Sequence, residues 1–350
     1  MGNEPRRILV VRTDRLGDVI LTLPMVSAIR RAYPGARIAM LLRRYTGAIV
    51  EGHRDVDEIL WYDGPQGPLP FGTMLLRLRR GKFDAAVAVH PRLRIAALLV
   101  LAGIALRIGS GYRFYSVLFN RRVYEHRRDA RRHELEYNMN LLRPLGIEPP
   151  DLHGEAEFGI TVPPESRQRV EELLAQRGVR PPFAVLHPGT GKSAREWPRT
   201  KIGELGARIA RDMGMAVVVT GSEPERDLVR EVAAGVGPSS VPLAGVLSLK
   251  DLAALLQMAT VWIGHSTGPL HLAVAVGTPV VALYPQLTAM SPRRWGPYGR
   301  RSRVHVPDRP ADCRECEHDQ AGVCACMESI TVDSVMASVD AMRKLRREEG

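Results

Sequence analysis

Arg7-Ile8-Leu9-Val10-Val11-Arg12-Thr13-Asp14-Arg15-Leu16-Gly17-Asp18-Val19-Ile20-Leu21-Thr22-Leu23-Pro24 decides the reading of this chain. Its first third is a buried strand, Arg7–Arg12, followed by a polar turn. A helix is expected from about Asp18 to Tyr33, closed by Pro34-Gly35. The same alternation continues through a strand at Arg37–Leu42, a short helix and a strand near Glu58–Tyr62. A helix near Thr73–Arg80, a strand at Ala85–Val89 and an apolar helix at Ile95–Leu106 follow. Short apolar strands between amphipathic helices predict a parallel sheet covered on both faces.

The pattern weakens between Pro149 and Pro164 and then restarts. Strands are expected at Phe183–His187, Ala216–Thr220, Val261–Gly264 and Pro279–Tyr284. Helices are expected at Thr200–Met213, Glu223–Val236, Pro269–Val276 and Val332 to about Arg346, with a capping box at Ser248–Asp251 for a further helix to Ala259. The chain is therefore α/β, with two doubly wound Rossmann-like domains joined by a linker near residues 155–180. In such sheets ligands bind beyond the carboxyl ends of the strands, so the loops after strands are where chemistry is expected.

Charge is distributed unevenly. Residues 1–150 carry 25 Lys and Arg against 14 Asp and Glu, a surplus equal to the whole chain's net charge of +11. An anionic partner for the front half follows. Nucleic acid is the weaker choice, because few aromatics accompany the arginines and no zinc finger or basic zipper is present. No apolar run reaches the ~20 residues of a bilayer span, and the start of the chain lacks a signal peptide's apolar core. A cytoplasmic protein, at most at the cytosolic face of a membrane, is expected.

Three loops carry candidate chemistry. The first, Thr13–Asp18, has one glycine and so lacks the G-x-G-x-x-G dinucleotide fingerprint. Asp18 reads either as a helix cap or as a general base flanked by Arg12 and Arg15. The second is His187-Pro188-Gly189-Thr190-Gly191-Lys192-Ser193-Ala194-Arg195-Glu196-Trp197-Pro198. Position 186 is Leu, which excludes a P-loop; a glycine turn with the cations Lys192 and Arg195 before a helix suits a diphosphate. In the third, Ser266-Thr267-Gly268-Pro269-Leu270-His271, hydroxyls and amides at a helix start suit phosphate or sugar oxygens, with His271 either a donor contact or a packing residue.

Together these three segments, in this order and spacing, resemble the ADP-heptose:lipopolysaccharide heptosyltransferase family, glycosyltransferase family 9. The resemblance implies a GT-B fold, two Rossmann-like domains facing a central cleft: an acceptor domain over 1–165, a nucleotide-sugar domain over 166–330, and a final helix at 331–350 packing back towards the first domain. It implies Asp18 as catalytic base and donor contacts from Arg195, Glu225, Thr267, Gly268 and His271. With the loop residues Thr190, Lys192 and Ser266 these make up the expected donor site, and Arg12 and Arg15 the expected acceptor contacts. It further implies an inverting, metal-independent transfer with no cofactor, from a nucleotide-sugar donor (ADP-heptose first) to an anionic lipid-linked saccharide at the membrane surface. Ser266 stands where heptose-transferring members carry Asp, so another sugar or acceptor glycan is the alternative, and a non-catalytic nucleotide- or zinc-binding protein the rival from another class.

Two further clusters have plainer readings. Asp55-Val56-Asp57 resembles a metal-clamping D-x-D but lies in the front half before a strand, where a solvated turn is expected. Cys313, Cys316, Cys324 and Cys326 fall within one short stretch; zinc, free thiols and a redox pair all fit, and the C-x-C spacing is tight for a zinc knuckle.

Overall fold

The computed structural model describes residues 4–191, 193–308 and 325–348. The chain forms two compact units, one of Met1–Arg127 with Arg132–Thr161, the other of Arg128–Arg131 with Val162–Gly350. In the first, β1 (Arg7–Val11), α1 (Leu16–Ile20), α2 (Leu23–Ala32), β2 (Arg37–Leu42), α3 (Arg44–Gly47) and β3 (Glu58–Trp61) come first. A small hairpin, β4 (Asp63–Gly64) with β5 (Gly67–Pro68), leads to α4 (Phe71–Gly81), β6 (Ala85–Ala88), α5 (Leu93–Leu101), β7 (Leu106–Ser110), β8 (Arg121–Val123) and α6 (Glu134–Asn140). The six-stranded sheet runs β3-β2-β1-β6-β7-β8, all parallel. Leu9 and Val11 of β1 point into one core with Met74, Leu78, Ile95 and Leu98, while Ile8 and Val10 are buried on the opposite face. Two covered faces explain why the strand reads as an unbroken apolar run.

The second unit repeats the plan with α7 (Pro164–Gln176), β9 (Phe183–His187), α8 (Arg199–Met213), β10 (Ala216–Gly221), α9 (Arg226–Val236), β11 (Ser240–Ala244), α10 (Leu249–Met258), β12 (Val261–His265), α11 (Gly268–Ala275), β13 (Val280–Leu283), α12 (Pro292–Trp295), β14 (Ser302–His305) and α13 (Val332–Glu348). Its parallel sheet is ordered β11-β10-β9-β12-β13-β14. In each sheet the winding reverses beside the first strand, between β1 and β6 and between β9 and β12. Those switch points lie at the ends of the loops singled out above.

Several expectations are corrected. The helix expected from Asp18 to Tyr33 is two helices. Pro24 has no amide to give the Ile20 carbonyl and its ring would clash with it; α1 stops there, and the Thr22 hydroxyl donates to the Asp18 carbonyl at 2.8 Å. The apolar helix expected to run to Leu106 ends at Leu101, where Gly103 takes a left-handed φ of 77°, and Leu106 opens β7. Strands β8, β11 and β14 lack a sequence signal because they are short sheet edges; β11 even holds Pro242, tolerated at an edge. The expected linker contains α7, tied to α10 by Arg169 donating to Asp251 at 2.7 Å.

The last helix belongs to the second unit: Val332, Val335, Met336, Val339 and Met342, spaced three and four apart, form one stripe buried in that unit's core with Leu205, Ile209 and Val281.

Candidate active site

The turn after β1 is built around Arg12, only 2% exposed. Its Nε donates to Asp14 Oδ1 at 2.8 Å, one terminal nitrogen pairs with Asp18 Oδ1, and the other donates to Asn138 Oδ1 at 3.3 Å. Glu134 Oε1 lies 3.7 Å away and is also paired with Arg127. The expectation of Arg12 as an acceptor contact is thereby corrected: its guanidinium holds the chain's own carboxylates. Arg15, the other expected acceptor contact, is exposed at the N-cap position of α1.

Asp18 is the third residue of α1 rather than its cap, and its side chain keeps 15% exposure. One oxygen is fixed by Arg12, so the carboxylate is oriented without being enclosed. Asp14 is as little exposed, at 14%; burial, with Asp18 adding to it, pushes its carboxyl up to about 6 against the pull of Arg12. One guanidinium is shared among three carboxylates, so its attraction does not offset desolvation at Asp14. His90, beyond β6, places Nδ1 3.1 Å from Asp14 Oδ2 and accepts from Arg92 Nε at 2.9 Å. Burial and then Arg12 and Arg92 pull its imidazole down to about 4, so it is neutral at pH 7. Tyr45, after β2, donates to the Asp14 carbonyl at 3.1 Å. Sequence reasoning missed Asp14, His90, Glu134 and Asn138. For His90 a signal existed, since it follows the strand that flanks β1 at the switch point.

In the second unit the loops after β9 and β12 are neighbours, because His187 pairs with Gly264. A Cβ on Gly264 would fall 2.6 Å from the His187 carbonyl, so only glycine lets the strands close here. The buried His265 accepts the Trp197 amide on Nε2 at 2.8 Å, which anchors the far end of the glycine loop; burial, then His187, pulls its imidazole down to about 3. His187 Nδ1 lies 3.0 Å from the Thr220 hydroxyl.

Glu225 reaches over the loop. Burial pushes its carboxyl up, but the Ser222 hydroxyl and amide, at 2.6 and 2.8 Å, together with His187 and the Gly191 amide, hold it below the usual range. Its carboxylate occupies the space a Cβ on Gly189 would need, 2.1 Å away.

The structure gathers Thr190, Arg195, Glu225, Ser266, Thr267, Gly268 and His271 at the carboxyl edge of this one sheet. Thr190 is buried and donates to Glu196 at 3.1 Å, Arg195 is half-buried, and His271 is buried one turn into α11. Thr267 caps α11 by position, its hydroxyl donating to the His265 carbonyl at 3.3 Å, while Pro269 brings no amide and the Leu270 amide donates to the Thr267 carbonyl at 3.2 Å. Lys192 lies outside the described residues, as do Cys313, Cys316 and Cys324; Cys326 is buried against the core of the second unit. Among the described residues no group of three His, Cys, Asp or Glu is placed to hold a metal ion, and no helix is long and apolar enough to cross a membrane. The expected solvated turn at Asp55-Val56-Asp57 is instead a bonded corner: Asp55 accepts from Ser27 at 2.5 Å, and Asp57 accepts from the Ile38 amide at 2.7 Å and from Arg30 at 2.6 Å.

Two six-stranded doubly wound units, one with an oriented carboxylate at its switch point and one with a glycine loop beside a helix start at its own, make up the GT-B fold. The family model for "Glycosyltransferase family 9 (heptosyltransferase)" matches residues 73–322. The chain belongs to that family. Lipopolysaccharide heptosyltransferase 3 of Escherichia coli is 27% identical over 278 residues, 77% of this chain and 80% of that one. The structure of the Veillonella parvula glycosyl transferase family 9 protein superposes with a TM-score of 0.81 at 21% identity, covering 97% of both chains. That of the E. coli heptosyltransferase WaaC with ADP gives 0.72 at 20% identity, covering 96% and 99%.

Proposed function

We propose that this enzyme transfers heptose from ADP-heptose to an anionic, lipid-linked saccharide of the lipopolysaccharide core, at the cytosolic face of the membrane, with inversion and without a catalytic metal. The observation that carries the reading is Asp18, oriented by Arg12 at the switch point of the first sheet. In this reading the first unit presents acceptor and base, with Arg15 as a contact for acceptor anions. The second unit holds the nucleotide. An acceptor hydroxyl attacks the anomeric carbon and gives its proton to Asp18, a new C–O bond forms, and the bond to the diphosphate breaks. One displacement inverts that carbon. Arg195, Lys192 and the amides at Thr267-Gly268 take up the charge on the departing diphosphate, where a single oriented donor contributes about 3–4 kcal/mol. Glu225, at the edge of the glycine loop, suits the ribose hydroxyls.

The donor half of the reading is supported by family membership and by a relative solved with ADP. A second reading, the same reaction with another sugar, is favoured by one observation. Where the resemblance to heptose-transferring members leads one to expect Asp, Ser266 hydrogen-bonds with the Tyr284 hydroxyl, and a serine brings no charge to grip sugar hydroxyls. Asp18→Asn tests the first reading. Turnover is expected to fall about 10²–10⁴-fold, while ADP affinity and the melting temperature hold. Near-normal turnover would refute the base. A thermal-shift screen of ADP-heptose against ADP-hexoses and UDP- and GDP-sugars separates the donors, since a ligand at 100 times its Kd adds about 2.7 kcal/mol of stability.

A further inference from the structure

From Ala85 to Tyr124 the sequence contains six arginines and not one acidic residue. The end of this stretch folds into the edge of the first unit's sheet: β7, a 3₁₀ turn at Phe114–Leu118, and the edge strand β8. In a 3₁₀ turn residues three apart eclipse one another, so Phe114 and Val117 share a face. They are 82% and 69% exposed. Tyr112 and Tyr124, on the same edge, are also exposed and pack edge to face at 5.6 Å beside His126. Soluble chains rarely leave such a ridge uncovered without a partner.

The rim identifies the partner. Arg113, Arg121 and Arg122 are exposed, and among the described residues no carboxylate pairs with any of them. Some exposed arginines elsewhere are paired, Arg54 with Glu157, Arg167 with Glu171 and Arg226 with Glu223, whereas this edge gathers three with no carboxylate partner among the described residues. Protruding aromatic and aliphatic side chains beside guanidinium groups that no carboxylate neutralises match the boundary between acyl chains and anionic headgroups. We propose that the Tyr112–Tyr124 edge is the surface by which this enzyme docks on an anionic lipid bilayer: Phe114 and Val117 enter the interface, and Arg113, Arg121 and Arg122 hold phosphate groups. The proposal rests on the lipid-linked acceptor reading only for the source of the membrane; the docking itself requires no catalysis.

The test is co-sedimentation of the full chain with vesicles of phosphatidylcholine alone and of an equal mixture with phosphatidylglycerol. Wild type is expected to bind the anionic vesicles and to be released by high salt. Arg121→Glu with Arg122→Glu should weaken that binding roughly 30-fold, and Phe114→Ser with Val117→Ser should weaken it at least roughly tenfold. Both pairs should keep the wild-type melting temperature and, on a water-soluble acceptor fragment, the wild-type turnover. Asp18→Asn should bind vesicles as wild type does, so loss of transfer and loss of docking are read separately. Equal vesicle binding by wild type and both double variants overturns the proposal, as does no binding by wild type. A concentration-dependent dimer abolished by the serine pair, without vesicle binding, would assign the ridge to a second copy of the chain and also overturn it.

Discussion

At Asp14 and Asp18 one guanidinium governs two carboxylates four residues apart, their side chains 14% and 15% exposed. Asp14 is pushed to about 6 from an ordinary 3.8, chiefly by burial. A carboxyl that binds its proton more tightly folded than unfolded contributes stability that is complete below about pH 4 and is lost as pH rises through 6. Asp14→Asn is therefore expected to match wild type in urea melts near pH 4. At pH 8 it should exceed wild type by up to about 2–3 kcal/mol, the equivalent of two pH units. The same difference at both pH values would show that Asp14 is not raised. Asp18 was legible in the sequence because a carboxylate just after the first strand of a doubly wound sheet lands at the switch point. The role of Arg12 was not, because its partners Glu134 and Asn138 arrive from α6, more than 120 positions along the chain.

For single elements, legibility followed burial. Strands β1, β2 and β9, each covered on both faces, were placed to within a residue; the edges β8, β11 and β14 have no apolar run to read. The glycine loop after β9 leads to a prediction of its own. A methyl group at position 189 collides with the Glu225 carboxylate, which is the mobile end of a side chain and gives way at the expense of its bonds to Ser222 and Gly191. Gly189→Ala is expected to fold normally and to lose roughly tenfold or more in affinity for ADP by calorimetry, the order of one lost charge-assisted hydrogen bond. Unchanged affinity would mean that Glu225 takes no part in shaping the donor loop.

Across the whole molecule the surplus charge sits in the front half, whereas residues 151–350 balance to zero. If the acceptor meets that half as an anion, the KM for acceptor should rise steeply between low and physiological salt, where the Debye length shrinks to about 8 Å. The KM for the nucleotide sugar, which the proposed function places at close range to amides and the half-buried Arg195, should move much less. Steady-state kinetics at several ionic strengths, one substrate saturating at a time, read the two responses. Parallel responses would remove the argument from charge.

What the sequence determined by itself was the repeated strand–helix alternation, the two doubly wound sheets and the three loops at their carboxyl edges. Each depends on periodicity and turn chemistry within a few residues. What only the tertiary structure decided was which of those side chains face a ligand and which face each other. Arg12 went to carboxylates brought by a distant helix, Asp55 and Asp57 to Ser27, Ile38 and Arg30, and the last helix to the second unit's core. Burial and charge pairing depend on neighbours in space, and those neighbours exist only once the chain has folded.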